Sequence, residues 1–477
     1  MAKSLAELMA DFPPPVTVSA AAVQNARAAA NDEIVYVVID DDPTGTQSVY
    51  DLPMLMTWEK SDLVWAFQTG RPAVYIMTNS RSLSAADAAR VNHEVARNAY
   101  AAAAETGTQI AFVSRSDSTL RGHFPLEPNV LQEEITAATG QEIDGVVIVP
   151  AFAKAGRITV AGVHYAGSAE TGYVPVGETE FAKDATFGYH SSRLADWVAE
   201  KTAGEIDAAE VTEIDLAALR SDPVGTRQIL RSLHGGQVVT VDAVTADDLR
   251  LLALALIEVE ASGTSLLYRT GPDFVAARIG QEQREPLMRA EVEQVRAERD
   301  FTDGGLVVVG SHVALTTQQL EVLHRRLGVQ QFELDVTKVI DPVAAPVHIA
   351  QVAAQVVQAV RSHTVVLCTS RKLVTGTSGE DSLDIARRVS RAVVQAVQAI
   401  MSEVTPKFVL SKGGITSSDV AAYGLGIRRA LVVGPMLPGM ISLWAAQDGV
   451  AAGVPYVVFP GNVGDADSLA DVVAALN

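Results

Sequence analysis

The chain has 477 residues, of which 48% are hydrophobic and 20% charged, a globular composition that excludes a disordered protein. Its 37 basic and 57 acidic residues give a net charge of −20, which disfavours sequence-independent binding to nucleic acid or to an anionic membrane. Because this length exceeds what one hydrophobic core usually supports, we expect two domains.

Polar loops follow apolar runs throughout the first half of the chain. Residues 34–39, 73–77, 109–113 and 144–149 predict buried strands, and 85–104 predicts a helix between two of them. Strands and helices in alternation are typical of a doubly wound parallel sheet. Ligands bind at the carboxyl ends of the strands in such sheets, which is where the polar loops fall.

The middle of the chain changes character. Residues 156–189 are rich in Gly, Thr and aromatic residues with little periodicity, and predict a long functional loop. A strand at 237–241 and a helix at 246–261 follow, and the charged pattern at 282–299 predicts a helix that bridges two domains. We therefore expect an N-terminal helical lead-in over 1–32, a first domain over 33–280 and a second over 281–477.

The second half repeats this architecture. Residues 305–309, 364–368, 407–410 and 456–459 predict strands that end in glycine-rich or polar loops. The predicted fold class is therefore α/β, with two domains that each carry a largely parallel sheet flanked by helices.

Cysteine usage and hydropathy limit the cell compartment. The single cysteine, Cys368, excludes an intrachain disulfide and a multi-cysteine zinc site, and its apolar surroundings predict a buried structural thiol. The first fifteen residues lack the pattern of a signal peptide, and no run approaches the about 18 apolar residues that span a bilayer. We expect a cytoplasmic protein with no membrane partner.

Several standard catalytic signatures are absent from the sequence: G-x-x-x-x-G-K-[ST], G-x-G-x-x-G, H-E-x-x-H and G-x-S-x-G. The nine histidines are scattered singly. P-loop, dinucleotide-binding, zinc-protease and serine-hydrolase functions are therefore disfavoured.

The first candidate site follows the first strand, in the sequence DDDPTGTQ, and comprises three adjacent carboxylates and a hydroxyl: Asp40, Asp41, Asp42 and Thr44. Adjacent carboxylates repel one another unless a cation, a proton or a substrate hydroxyl relieves the repulsion. Asp42, or Asp41 beside it, is the candidate base that accepts a proton from an attacking hydroxyl. The alternative is that Asp40 or Asp42 caps a helix or turn.

The second candidate site combines arginines with carboxylate and hydroxyl groups in two loops: Asp117, Ser118 and Arg121 in one, Ser80 and Arg81 in the other. Arginine grips a carboxylate with two parallel hydrogen bonds, while Asp, Ser and Thr suit neighbouring hydroxyls. The loops therefore contain the functional groups needed to bind a polyhydroxy acid. The alternative is that each arginine forms an ion pair at the surface.

The third candidate site consists of glycine-rich turns after three strands of the second half: Gly310 and Ser311; Lys412, Gly413, Gly414 and Thr416; Gly461, Asn462 and Gly464. Consecutive backbone N–H groups in such turns, with a helix N-terminus, make a phosphate cradle without a Walker lysine. One such turn is most often only a turn, but three in one domain favour a nucleotide site.

At these motifs the sequence closely resembles the four-carbon acid sugar kinase family. The matching stretches occur in family order through nearly the whole chain and read DDDPTGTQ, DSTLRG, AGRITVAGVHY, TEFAKDATFGY, VVVGSHVALTTQQ, SKGGITSSD and VFPGNVGD. Many members read DDLTGA in the first motif, so the departure here leaves the usual substrate preference open.

The resemblance implies an N-terminal substrate-binding domain, a C-terminal nucleotide-binding domain and an active site in the cleft between them. It also implies that ATP, with Mg²⁺, phosphorylates the terminal 4-hydroxyl of an acid such as threonate, erythronate or 3-oxo-tetronate. Carried over by motif, the substrate side comprises Asp41, Asp42, Arg81, Asp117, Ser118 and Arg121, and the nucleotide side comprises Gly310, Ser311, Gly413, Gly414, Thr416, Gly461 and Asn462. Further substrate-binding candidates are Asp40, Thr44, Ser80 and Arg157, and further nucleotide-binding candidates are Lys412 and Gly464. Metal ligands and homo-oligomerisation stay open.

Two other readings remain. Residues 37–44 fit hydrophobic-D-x-D-x-T, so a haloacid-dehalogenase-like phosphatase would use Asp40 as nucleophile and Asp42 as acid/base. That scheme needs a later lysine and an acidic metal pair, and it leaves the arginine loop and the glycine-rich turns unused. A noncatalytic sugar-acid-binding protein is the third reading.

Overall fold

The computed structural model describes residues 2–42, 44–296, 299–371, 374, 379–437 and 440–477. Pro43, within the first motif, lies outside the described residues. The chain divides into two compact units, Met1–Gln283 and Arg284–Asn477.

The first unit is built on an eight-stranded parallel sheet in the order β2-β3-β1-β4-β11-β5-β10-β9. Its strands are β1 Val35–Asp40, β2 Leu52–Leu55, β3 Ala73–Met77, β4 Ile110–Arg115, β5 Gly145–Val149, β9 Thr212–Ile214, β10 Gln237–Val241 and β11 Leu266–Thr270. The five strands expected in this half are confirmed to within two residues. Their continuous apolar runs reflect burial on both faces, since helices cover both sides of a parallel sheet.

Ten helices of the described residues accompany this sheet: α1 Leu5–Met9, α2 Ala20–Ala29, α3 Lys60–Gln68, α4 Ala85–Thr106, α5 Leu126–Thr139, α6 Leu194–Lys201, α7 Leu216–Ser221, α8 Pro223–Ser232, α9 Ala246–Ala261 and α10 Asp273–Arg278. Helix α4 begins at the N-cap Ser84, whose side chain accepts a hydrogen bond from the N–H of Asp87, and ends at Gly107 with φ 71°. Its apolar face packs on the sheet through Val91, Val95 and Ala99.

The segment expected to be a functional loop at 156–189 instead contains a separate antiparallel sheet of three strands, β6 Arg157–Val160, β7 Val163–Ser168 and β8 Gly172–Pro175. The strands are short, and glycines interrupt their alternation of side chains. At Gly167 a Cβ would lie 2.0 Å from the carbonyl oxygen of Gly172, so close backbone approach requires glycine there. The prediction of a loop is therefore wrong for these strands, because glycines in this segment allow close strand pairing.

The second unit carries a seven-stranded sheet in the order β13-β14-β12-β15-β18-β17-β16. Its strands are β12 Leu306–Val309, β13 Gln330–Leu334, β14 Val365–Thr369, β15 Val409–Lys412, β16 Arg429–Leu437, β17 Ile441–Ala446 and β18 Pro455–Phe459. Strands β13, β14, β12, β15 and β18 are parallel, whereas β17 and β16 form an antiparallel hairpin beside β18. The α/β class with two largely parallel sheets is confirmed.

The helices of the second unit are α11 Arg289–Val295, α12 Ala314–Leu327, α13 Val336–Val339, α14 Ala345–Val360, α15 Gly379–Glu403, α16 Gly414–Asp419 and α17 Ser468–Leu476. The prediction of one helix over 282–299 is wrong, because among the described residues only Arg289–Val295 is helical there. Pro286 explains the delay, since proline disfavours helical backbone at the residue before it.

Burial confirms the expectation of a structural thiol. Cys368 is 1% exposed on β14, and burial raises the pKa of its thiol to about 12, which makes it an inert structural residue. In the described ranges, no helix combines the length and apolar character needed to traverse a bilayer.

A buried ion pair joins α7 to α9. The Nε and Nη2 atoms of Arg220 donate to the two carboxylate oxygens of Asp248 at 2.7 and 2.8 Å, and both side chains are 0% exposed. Arg220→Met would leave the carboxylate buried and without its cation, so we expect the free energy of unfolding to fall by about 3–5 kcal/mol. Urea denaturation would measure the change.

Arg90→Met is the matched control, because Arg90 pairs with Glu94 on the exposed face of α4. Solvent screens that pair, so its removal should leave stability nearly unchanged. Equal destabilisation by the two substitutions would contradict the burial argument.

Candidate functional site

The carboxyl end of β1 positions the first candidate site. In the parallel ladder Asp40 is the register partner of Arg115 on β4, and the Nη1 of Arg115 donates to the Oδ1 of Asp40 at 2.7 Å. Burial raises the pKa of Asp40 to about 7, while Arg115 opposes the rise. The Asp40 side chain is fully buried, so it is a structural anchor for the loop that follows.

The loop closes tightly over Asp40. The N–H of Asp42 donates to the Oδ1 of Asp40 at 3.0 Å, and a Cβ on Gly45 would lie 1.5 Å from its Oδ2. The Oδ1 of Asp40 thus holds both Arg115 and the N–H of Asp42. The residue that the phosphatase reading requires as nucleophile is therefore engaged in holding the loop.

Asp41 differs from its two neighbours. Its side chain is buried, and neither carboxylate oxygen has a hydrogen-bond partner among the described residues. The nearest cation is Arg81, whose Nη1 lies 3.8 Å from the Oδ1 of Asp41. Burial raises the pKa of Asp41, and Arg81 opposes that effect. This carboxylate is thus free to accept a proton or a hydrogen bond.

Asp42 is more exposed and more fully engaged. Its Oδ1 accepts hydrogen bonds from the N–H and the hydroxyl of Thr44 at 2.8 and 2.5 Å, and its Oδ2 pairs with the Nη2 of Arg81. Thr44 therefore shapes the turn through Asp42. Both oxygens of Asp42 are committed to holding the loop and Arg81.

The loop after β4 contributes a second charged cluster. Asp117 accepts from the Nε of Arg121 at 2.6 Å and from the hydroxyl of Thr119, and its Oδ1 lies 3.7 Å from the Nη1 of Arg81. Burial opposes ionisation of Asp117, but Arg81 and Arg121 hold the pKa of its carboxyl below the usual range. Arg81 thereby connects the β1 loop with the β4 loop.

Arg157, at the start of β6, joins the same region. Its guanidinium lies 5.2 Å from the ring centroid of Phe181, and that of Arg121 lies 5.5 Å from the same ring. Arg121 also lies 3.6 Å from Asp184, whereas Arg157 makes no ion pair within the described part of the chain. Two guanidinium groups therefore share one aromatic platform.

Two of the candidate serines are buried and make hydrogen bonds inside the first unit. Ser80 is fully buried and donates its hydroxyl to the Oε1 of Glu127 at 2.5 Å. The carbonyl of Ser118 accepts from the Nε2 of His164 at 2.8 Å, and burial lowers the pKa of His164 to about 4, which keeps that ring neutral. Ser80 is therefore engaged with a buried carboxylate, and the backbone of Ser118 is fixed by a buried histidine.

The sequence interpretation missed the roles of two buried arginines. Arg115 is the last residue of β4, and Arg269 lies on β11, a strand that the sequence pattern does not predict. The Nε and Nη1 of Arg269 are buried with no partner in the described ranges, and Phe124 and Trp197 lie beneath its guanidinium at 5.5 and 5.9 Å. An arginine within the apolar run 266–270 was the signal available.

In the second unit, three strand ends bring glycines and hydroxyls together. A Cβ on Gly310 would lie 2.1 Å from the Oγ1 of Thr416, and one on Gly461 would lie 2.6 Å from the Oγ of Ser311. Gly413, with φ 122°, lies beside both residues, its added Cβ at 3.2 Å from the Oγ1 of Thr416 and 3.4 Å from the Cβ of Ser311. The three turns expected to cradle phosphate therefore converge at the carboxyl end of β12, β15 and β18.

The other candidates of this unit occupy different positions. Gly414 faces open space, Asn462 is exposed, and Gly464 has φ 83° beside Ser468 at the start of α17. Lys412 is fully buried, and its Nζ donates to the carbonyl oxygens of Pro460 and Gly461 at 2.9 and 3.2 Å. Lys412 thus acts on the loop rather than facing solvent.

A cavity of about 390 Å³ opens beside these turns. Gly310 and Thr416 form one wall, and the rest is largely apolar, with Val336, Val389 and Val393 among its lining residues. Asp419 and Ser390 add one polar pair, in which the hydroxyl donates to the carboxylate. A largely apolar cavity with few polar groups is typical of a small-molecule site.

A protein-built metal centre is not evident. Within the described residues, no group of three or more His, Cys, Asp or Glu side chains is arranged to hold an ion. The sequence left the metal ligands open, and they stay so.

Two family models match the chain, one for each unit. A sugar-binding N-terminal domain matches residues 36–278, just over half of the chain, and a nucleotide-binding C-terminal domain matches residues 306–469. Among curated proteins, a D-erythronate kinase of Heliobacterium modesticaldum is 28% identical over 296 residues, or 61% of this chain. The matched stretch spans 59% of that relative's length.

Solved structures show the same fold. A Haemophilus influenzae protein with a domain of unknown function has a TM-score of 0.62 at 18% identity, covering 92% of this chain and all of that one. A Salmonella typhimurium protein described as a putative tRNA synthase has a TM-score of 0.64 at 18% identity, covering 92% of this chain and 98% of that one. With both domains matched in order, the chain belongs to the four-carbon acid sugar kinase family.

Proposed function

We propose that the chain transfers the γ-phosphoryl group of ATP to the terminal 4-hydroxyl of a four-carbon sugar acid such as erythronate, threonate or 3-oxo-tetronate. The observation that carries this proposal is Asp41, a buried carboxylate with both oxygens free, in a setting of arginines within the sugar-binding unit. The curated relative named as a D-erythronate kinase supports the substrate class. Because the reaction requires ATP, a cytoplasmic location is part of the proposal.

Asp41 is the better of the two candidate bases. A general base needs a carboxylate oxygen that is free to take the proton, and a pKa raised toward neutrality makes the transfer more favourable. Asp41 meets both conditions, whereas both oxygens of Asp42 are occupied by Thr44 and Arg81. We therefore assign proton acceptance to Asp41 and loop positioning to Asp42.

The carboxylate of the sugar acid requires a cation at the other end of the substrate. Arg157 makes no ion pair in the described ranges, and Arg121 lies against the same aromatic ring, that of Phe181. In a protein of net charge −20, a local pair of arginines is needed to hold an anionic substrate. We propose that Arg157, supported by Arg121, binds this carboxylate.

The nucleotide is assigned to the second unit. A side chain at Gly310 or Gly461 would fill the space beside the backbone, so glycine at these positions allows phosphate groups to approach it closely. The adjoining cavity suits a purine base. Mg²⁺ with ATP would supply charge neutralisation on the phosphates. Mg²⁺ usually keeps several waters and binds through phosphates and one or two carboxylates, so the absence of a larger acidic cluster in the described residues is compatible with it.

The test of the whole proposal is an ADP-release assay with the purified chain, Mg²⁺, ATP and a panel of four-carbon aldonic and oxo-acids. We expect release that depends on one or a few acids, with the new phosphate located on the terminal carbon by NMR. Binding of an acid without ADP release would instead support a noncatalytic binding protein. Release of inorganic phosphate from a phosphorylated four-carbon acid, supplied in place of ATP and the free acids, would support the phosphatase reading.

Asp41→Asn should lower turnover by roughly 10²–10⁴-fold at saturating substrates, because the amide cannot accept the hydroxyl proton. Asp42→Asn should mainly raise the KM for the acid, since it weakens the hold on Arg81. Initial rates would measure both, with Asp87→Asn on the exposed face of α4 as a charge-matched control. Wild-type turnover in Asp41→Asn would remove Asp41 as the base.

The pH dependence of kcat/KM should show an acid limb set by Asp41. The reactive form is the carboxylate, and burial raises its pKa. As the pH is lowered, activity should therefore be lost at a higher pH than the about 3.9 expected for an ordinary aspartate. Rates and circular dichroism recorded across the same pH series would separate protonation from unfolding. A rate that stays flat until the protein unfolds would contradict this assignment.

Arg157→Met should raise the KM for the sugar acid by roughly tenfold or more, the scale of a lost charge-assisted contact, while the KM for ATP stays unchanged. Arg193→Met is the control, since Arg193 pairs with Glu213 and is 46% exposed. Equal KM values in the Arg157 variant and the control would show that Arg157 does not bind the acid.

A further inference from the structure

Lys412 is a charged side chain enclosed by the second unit. It is the last residue of β15, is 0% exposed, and its Nζ lies 3.9 Å from the ring centroid of Phe459 on the neighbouring strand β18. The Nζ donates to the carbonyl oxygens of Pro460 and Gly461. The ammonium group is therefore bound to backbone carbonyl groups in the interior and does not reach a ligand at the surface.

No carboxylate balances this charge. Within the described residues Lys412 has no ion-pair partner, and burial lowers the pKa of its ammonium to about 7. An unpaired buried charge is costly, and the cost falls when an anion of the ligand lies close by. The enclosure of Lys412 thus favours a state in which an anion is bound next to its loop.

The two hydrogen bonds also determine where the loop's N–H groups point. In a planar trans peptide the C=O and the N–H point in opposite directions. The carbonyl of Pro460 shares its peptide unit with the N–H of Gly461, and the carbonyl of Gly461 shares its unit with the N–H of Asn462. Because Lys412 holds both carbonyls, both N–H groups face away from it.

Those N–H groups are available to a ligand. Neither the N–H of Gly461 nor that of Asn462 donates to another group in the described part of the chain. The carbonyl of Gly461 is held a second time by the Oγ1 of Thr316 at 3.1 Å. Ser311, whose hydroxyl lies against Gly461, adds a side-chain donor at the same place.

We propose that Lys412 is a positioning residue for the nucleotide: it holds the carbonyls of Pro460 and Gly461 so that the N–H groups of Gly461 and Asn462 bind a phosphate group of ATP. The bound phosphate in turn offsets the buried charge of Lys412. This inference rests on the proposed function and deepens it.

The proposal predicts that nucleotide binding takes up protons near neutral pH. A nearby phosphate stabilises the ammonium and raises the pKa of Lys412, so the fraction that is neutral in the free protein becomes charged.

The other charged and titratable groups lie on the elements packed against β15. Arg371 donates to Ser311, and Asp419 accepts from Ser390. His312 is held neutral, since burial lowers its pKa.

Tyr456, on β18, is another titratable residue on an element packed against β15. It donates to the carbonyl of Ser417, and burial keeps its pKa far above neutrality. An incoming phosphate would raise the pKa of both Lys412 and His312, and the Lys412→Met variant separates the proton uptake of Lys412 from that of His312.

The test measures Mg²⁺-ADP binding by calorimetry in two buffers of different ionisation enthalpy, between about pH 7 and 8, the range set by a lysine pKa near 7. The wild type should take up a fraction of a proton on binding. Lys412→Met should bind Mg²⁺-ADP roughly tenfold or more weakly with no such uptake, and should leave sugar-acid affinity unchanged.

Lys407→Met is the matched control. Lys407 precedes the same strand and donates to the carbonyl oxygen of Asn477, away from the glycine-rich turns. This variant should retain both wild-type nucleotide affinity and proton uptake. Because Lys407 is less buried than Lys412, circular dichroism and thermal unfolding of both variants are recorded first, and nucleotide affinity is compared only between folded proteins.

Wild-type affinity and proton uptake in Lys412→Met would overturn the proposal. If that variant does not fold, the wild-type measurement decides, because nucleotide binding without proton uptake would also overturn it. A wild type that binds no adenine nucleotide at all would instead contradict the proposed kinase function itself, so the two failures are distinguishable.

Discussion

The ion pair between Asp40 and Arg115 is the interaction on which the candidate substrate site depends. It forms because β1 and β4 are neighbours in a parallel sheet whose register brings the two residues level at the carboxyl edge. With Arg115 compensating Asp40, two further carboxylates can follow directly in sequence. The loop then closes over Asp40, which leaves Asp41 inside the site with its oxygens free and turns Asp42 toward Arg81.

The second unit handles buried charge differently. Lys412 also stands at the carboxyl edge of a parallel sheet, but its partners are two carbonyl groups and an aromatic ring rather than a carboxylate. Carbonyl dipoles compensate a cation only in part. The first unit thus holds a buried carboxylate without hydrogen-bond partners beside cations, and the second holds a buried cation without a carboxylate partner in the described residues.

The net charge of −20 makes these local arrangements necessary. An anionic acid and an anionic nucleotide would both be repelled by an evenly acidic surface. Arginines held in loops, and backbone N–H groups exposed where glycine leaves room, create local attraction without changing the overall charge. A family fold alone does not decide which substrate a member accepts, because specificity lies in the few side chains that line the site.

The sequence by itself determined the α/β class, the strands of both parallel sheets that end in polar loops, and the family, because apolar runs and motif order are local properties of the chain. It also placed Asp41, Arg81, Asp117 and Arg121 in loops that converge, since parallel strands bring their carboxyl ends to one edge.

Only the tertiary structure distinguished three adjacent aspartates by their surroundings. Residue type cannot show that Asp40 is paired, Asp41 free and Asp42 engaged, because those states depend on the register of β1 against β4 and on the path of the following loop. The same holds for Arg269 and Lys412, whose burial follows from how distant segments pack. The roles of charged residues are decided by long-range contacts that no local pattern encodes.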